Sequence, residues 1–252
     1  MPRRPSASTR REPYFTKRQL EDEAAVLLAE YGRDFEAVIE PPVPIDEIIE
    51  LHLKLTFEFR DMRSLFGVGD VHGALWVNEN RVGVDQSLDP DENPAKLGRF
   101  RFTLAHEAGH WRLHRTLFQR HANQPSLLPE ADDRANYICR SSDTSPLEWQ
   151  ANYFAAALLM PRELVLQEWD KWRGNLDPIY LDDLRPRQQE IITSELLRRG
   201  GLSMGEDSIN NTLFEHACRP LAETFEVSAE AMRIRLENLK LLCHRKEPSL
   251  FE

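Results

Sequence analysis

Residues 98–115, GRFRFTLAHEAGHWRLHR, set two histidines and a glutamate inside an apolar helical pattern. Phe100, Phe102, Leu104, Trp111 and Leu113 surround these polar groups, so the helix belongs in a core. Buried imidazoles and carboxylates are costly without partners, and any fold of this chain has to supply them. A metal ion does so. His106 and His110 stand four residues apart and leave one face of a helix one turn above each other, within reach of a single ion. Zinc suits them, because it takes neutral imidazole and carboxylate in a tetrahedral shell. Glu107 falls beside such an ion rather than on it, where it can hold a water, take its proton and pass it to a leaving amine. The structural alternative is a polar helix face that carries two histidines by chance, and the apolar surroundings argue against it. Gly109 leaves room for another element to pack closely.

A third ligand has to come from elsewhere. PLEWQANYFAAALLM, residues 146–160, is a second strong helix that stops at Pro161. Glu148, Asn152, Ala155 and Leu159 share one of its faces, with Ala151 close by. Small residues there permit a tight approach to Gly109, which carries the Glu148 carboxylate toward the ion. The alternative for Glu148 is a favourable negative charge in the first turn of a helix. Asn152, one turn later, could orient a ligand histidine. His114 lies a second turn beyond His110, an awkward position for a ligand and a better one for a hydrogen bond near the site. His72, His216 and His244 read as structural or surface residues. For a group that steadies an oxyanion, His121, Tyr137 and Tyr153 all remain open.

The chain is acidic, with a formal net charge of -10, which argues against nucleic-acid binding by bulk electrostatics. Cys139, Cys218 and Cys243 are far apart and form no CxxC pair. They read as neither a disulfide framework nor a thiolate zinc site, and fit a reducing cytosol. No apolar stretch follows the basic start MPRRPSASTRREP, and the run Phe154 to Met160 is far too short to cross a bilayer. The expected protein is soluble and cytoplasmic, with no membrane partner.

Periodicity and breakers outline an α+β fold: a mainly helical body with a small, mostly antiparallel sheet. Residues 1–14 read as a disordered basic arm, 15–165 as the metallopeptidase core, and 166–252 as a helical C-terminal region. A helix starts at Thr16, with Leu20, Ala24, Leu27, Leu28 and Tyr31 on its inner face and Gly32 as its cap. KLTFEF reads as a strand, and ALWV and VGV as a hairpin joined by NENR. Pro94 opens the motif helix, and ANYICR suggests a further strand. Charged helical pieces broken by Pro178 and Pro186 fill 162–201. Residues 213–242 resemble a helix-turn-helix, with Ser228 as N-cap of a helix carrying Arg233 and Arg235.

RFRFTLAHEAGHWRLHR followed by EWQANYFAAALLMPR resembles the ImmA/IrrE family of zinc metallopeptidases, and LAETFEVSAEAMRIRLENLKLL is similar to the segment that often closes that domain. The resemblance runs from about Leu20 to Leu242. It implies a thermolysin-like, gluzincin-type core with a small sheet beside two zinc-binding helices. It also implies His106, His110 and Glu148 as zinc ligands and Glu107 as catalytic base. Family members resemble bacterial or phage regulators that cut a helix-turn-helix repressor or antitoxin-like partner under stress and so release transcription. An edge strand would hold the substrate in extended form, and ALWV or VGV is the candidate. Two stretches depart from the family pattern: a long loop over 118–146, which could restrict access to the metal, and the charged insertion over 162–201.

Three functions follow from these residues. The first is a zinc endopeptidase with a narrow protein substrate. The second is a regulatory module that holds zinc and binds a repressor without cutting it. The third is a DNA-binding regulator that uses the C-terminal segment, against which the acidic charge speaks.

Overall fold

The computed structural model describes residues 14–67, 69–119, 135, 137–140, 144–199 and 206–245. Eleven helices and six short strands are described over this range: α1 Lys17–Asp34, α2 Ile45–Glu47, β1 Thr56–Arg60, α3 Met62–Phe66, β2 Val71–Trp76 and β3 Arg81–Asp85 come first. Then follow α4 Leu97–Gly109, α5 Arg115–Gln119, β4 Tyr137–Arg140, α6 Pro146–Leu159 and α7 Arg162–Arg173. The chain closes with β5 Ile179–Tyr180, α8 Leu181–Leu184, α9 Gln188–Arg199, α10 Glu206–Thr224, α11 Ala229–Asn238 and β6 Leu242–Cys243. The fold is α+β and mainly helical, as the periodicity implies.

The main sheet has the order β1-β3-β2-β4. β1 runs parallel to β3, while β2 is antiparallel to both β3 and β4, so two of the sheet's three pairings are antiparallel. Asn80, at φ 51°, makes the left-handed turn between β2 and β3, a conformation that asparagine tolerates. The topology corrects the expected substrate edge. VGV lies in β3 between β1 and β2, and ALWV lies largely in β2 between β3 and β4, so neither is a free edge.

Capping and small residues position the helices. Thr16 and Gln19 form a reciprocal capping box at the start of α1, whose Leu20, Ala24, Leu27 and Tyr31 are buried. Gly32 does not end this helix, which runs on to Asp34. A Cβ at Gly32 would lie 3.1 Å from the Ala37 Cα, so this glycine serves the close return of the chain after the helix. A one-turn 3-10 segment, Pro94–Lys96, leads into α4, and Ser145 with Pro146 starts α6. α6 packs against both α1 and α4. At the crossing with α4, a Cβ on Gly109 would lie 3.2 Å from the Ala151 Cα, so the small residues read from sequence do bring the two helices together. Arg112 ties this region to α1 through Glu23 at 3.0 Å and Glu30 at 2.7 Å.

The C-terminal helices pack on the rest. Ser228 caps α11, accepting from the Ala231 N–H at 3.1 Å, as its sequence position suggests. Arg235 is 1% exposed: its Nε donates to the Met160 carbonyl at 2.9 Å, and its guanidinium pairs with Glu21 of α1. Arg233 is buried against Glu215 and Glu237. The two arginines that a helix-turn-helix reading would send to DNA are therefore directed into the fold.

Candidate metal centre

α4 and α6 converge on one cluster. The Nε2 atoms of His106 and His110 lie 3.0 Å apart. The Glu148 carboxylate reaches both, with one oxygen 3.0 Å from His106 Nε2 and the other 3.0 Å from His110 Nε2. A tetrahedral ion with bonds of roughly 2.0–2.1 Å separates its ligand atoms by roughly 3.3 Å, so each of these contacts is within a few tenths of an ångström of that separation. All three side chains are buried.

Their far sides are set for the same task. His106 Nδ1 lies 2.9 Å from Asn152 Oδ1, an acceptor that keeps the proton on Nδ1 and leaves the Nε2 lone pair for a metal. After Gly109 the helix widens into a π turn over His110–His114, a distortion often found at functional sites. This brings His114 Nδ1 to 3.1 Å from His110 Nδ1. Burial, reinforced by neighbouring His110, holds His114 down at about 3, so its ring is neutral and can accept the His110 proton. His114 thus supports His110 from behind, the role its position in the sequence suggests.

Charge in the cluster is balanced by contact. Burial alone would raise Glu148, but hydrogen bonds to His106 and His110 hold it at about 2. Burial opposes a charge on His106, yet Cys139 and Glu148 beside it push its pKa well above the ordinary histidine value. A metal arriving at Nε2 therefore has to displace a proton. Glu107 is fully buried, and neither carboxylate oxygen has a hydrogen-bond partner among the described residues. Burial, with the charge of Glu148 adding to it, pushes Glu107 up to about 8 against the opposing effect of His106. Gly73 on β2 makes this placement possible, since a Cβ there would sit 2.7 Å from Glu107 Oε1. An orphaned buried carboxylate beside three convergent donors fits a site completed by a metal and a water.

Sequence reasoning missed one residue of the cluster. Cys139, set aside as no part of a zinc site, places its Sγ with ligand atoms of His106 and Glu148, all within 4.8 Å of one another. Among the oxyanion candidates, the Tyr153 hydroxyl donates to Glu21 at 3.0 Å. His121 and the Tyr137 side chain lie outside the described residues. His216 and His244 pair with Glu195 and Glu237.

A helix-borne HExxH crossed by a second helix that brings a carboxylate to both histidines has the layout of a metal-dependent hydrolase. The chain belongs to the Peptidase_M78 family: residues 91–237 match its IrrE N-terminal-like domain. No curated protein matches the chain. Membership makes it a peptidase-type hydrolase with a protein substrate. No described helix is long and apolar enough to cross a membrane.

Proposed function

We propose that this chain is a zinc-dependent endopeptidase that cleaves a helix-turn-helix repressor or antitoxin-like protein. The observation that carries the reading is the convergence of His106, His110 and Glu148, whose two Nε2 atoms lie 3.0 Å apart and each 3.0 Å from a different carboxylate oxygen, with the unpartnered Glu107 carboxylate beside them. His106, His110 and Glu148 would hold the metal, and the set of two imidazoles and one carboxylate favours zinc. Zinc, when bound, supplies a Lewis acid for the scissile carbonyl and acidifies a water.

The chain's own residues do the rest. Asn152 and His114 keep the two imidazoles in the tautomer that offers Nε2. Glu107 takes the proton of the attacking water and delivers it to the leaving nitrogen. Its raised pKa suits a base that must also act as an acid near neutral pH, and a dication close by favours its ionised form. The repressor or antitoxin target rests on the family resemblance alone.

Glu107→Gln tests the reading against a module that only binds. Zinc should stay at the wild-type level, by elemental analysis, while cleavage of the substrate protein falls by about 10²–10⁴-fold. Unchanged regulation of the target by this variant would instead favour binding without cleavage.

A further inference from the structure

The metal centre is more enclosed than a peptidase site can be while it works. His106, Glu107 and His110 are at most 1% exposed and Glu148 only 5%. Against α4, which carries His106 and Glu107, packs β4, the last strand of the sheet. It pairs antiparallel with β2, setting Cys139 opposite Gly73, Ile138 opposite Ala74 and Tyr137 opposite Leu75. Gly73 is the residue against which the Glu107 carboxylate rests. An extended substrate held by strand addition would come beside Glu107 if it paired with this stretch of β2. In this structure the chain's own residues 137–140 occupy it.

The thiol of this strand joins the donor cluster. Cys139 Sγ lies within 4.8 Å of the ligand atoms of both His106 and Glu148. The donors of His106, Cys139 and Glu148 form one group, and a shift of the sulfur toward His110 would make a four-coordinate shell of two imidazoles, one carboxylate and one sulfur. A shell of four protein ligands is that of a structural zinc site, whereas a catalytic one keeps a position open for water.

We propose that Cys139 is a fourth metal ligand and β4 an internal occupant of the substrate groove, so that the resting chain is a latent peptidase. Binding the metal through sulfur forms one Sγ–metal bond and releases the thiol proton to solvent. Withdrawal of β4 from β2 would break that bond, the sulfur taking a proton back from solvent and a water the vacated position, and would free the β2 edge in one movement. The species that replaces β4 is an extended peptide segment, which forms the same antiparallel ladder. This inference rests on the metal reading of His106, His110 and Glu148.

Cobalt(II) tests it without any substrate. The full chain is loaded with cobalt, and its absorption is compared with that of Cys139→Ser, Cys139→Ala and His106→Ala. The wild type should show a thiolate-to-cobalt charge-transfer band in the near ultraviolet. Both Cys139 variants should lose the band but keep bound cobalt and its visible ligand-field bands. Cobalt bound in the wild type without the charge-transfer band overturns the fourth ligand and leaves the metal site standing. A band that persists in both Cys139 variants assigns it to Cys218 or Cys243 and also overturns the proposal. Full cobalt binding in His106→Ala overturns the metal reading on which the proposal rests. Circular dichroism on each variant separates lost ligation from lost folding, and because Ser and Ala replace the thiol independently, one folded variant suffices.

Discussion

Replacing Arg235 by alanine should destabilise the whole chain, because this one side chain links α11 to α1 and α6. Its Nε donates to the Met160 carbonyl at 2.9 Å and its Nη2 to Glu21 at 2.8 Å, while Nη1 meets the other Glu21 oxygen. Removing one partner of a buried pair costs about 3–5 kcal/mol. The Glu21 side chain is 26% exposed and keeps the Tyr153 hydroxyl at 3.0 Å, which moves the figure to the low end of that range. Met160 is fully buried, so its carbonyl, deprived of this donor, adds a further penalty of about 1 kcal/mol. The net expectation is a loss of about 3–4 kcal/mol, or a fall of about 1 M in the urea midpoint for a slope of about 3 kcal/mol/M. Equilibrium unfolding followed by circular dichroism measures it. Arg187→Ala is the control, since that residue makes only an exposed pair with Glu190 and should leave the midpoint in place. An Arg235→Ala midpoint that matches the control would refute the docking role and return this arginine to the surface, where it could meet DNA.

Asn152→Ala removes the acceptor at His106 Nδ1 and should weaken metal binding about 10- to 100-fold, read by chelator competition; unchanged affinity would show that this contact does not set the tautomer. Gly73→Ala puts a Cβ 2.7 Å from Glu107 Oε1 and 2.6 Å from Thr103 Cγ2. It should displace the carboxylate and lower turnover about 10- to 100-fold with metal content unchanged, and a wild-type rate would argue that Glu107 can act from elsewhere. At Glu195, burial alone would raise the pKa, but Arg219, Arg198 and His216 hold the carboxyl at about 2, against an ordinary 4.5. A depressed carboxylate contributes stability that is complete above about pH 4.5 and lost as pH falls through about 2. Melting temperatures of wild type and Glu195→Gln should therefore differ at neutral pH and converge in acid; parallel curves would refute the assignment.

Legibility tracked the range of the interaction. The helix around His106, Glu107 and His110 could be read because its ligand geometry follows from a four-residue spacing on a regular helix. Glu148 and Asn152 were legible for a related reason: they share a face with Ala151 and Ala155, and small residues advertise a close crossing. Ser228 declared itself as a cap because capping is decided within three residues. Gly32 misled, since a glycine late in a helical pattern suits a cap locally, and only the return of Ala37 against it shows its use. Arg233 and Arg235 misled as well, because an arginine on a helix says nothing about whether a carboxylate waits on the far side. The glutamate that pairs with Arg235 stands 214 residues away.

By itself, then, the sequence determined what could be settled within one or two helical turns: the paired histidines, the glutamate beside them, the caps, and an α+β chain with a mainly helical body. Tertiary structure alone decided which strand flanks β2, and with it the meeting of Cys139 with His106 and Glu148. A strand's partner depends on register and on loop closure over many residues, and neither leaves a periodic mark in the chain. Cys139 carries no neighbouring cysteine or histidine that would announce a ligand, so only the pairing of β4 with Gly73 of β2 brings its sulfur to the metal centre.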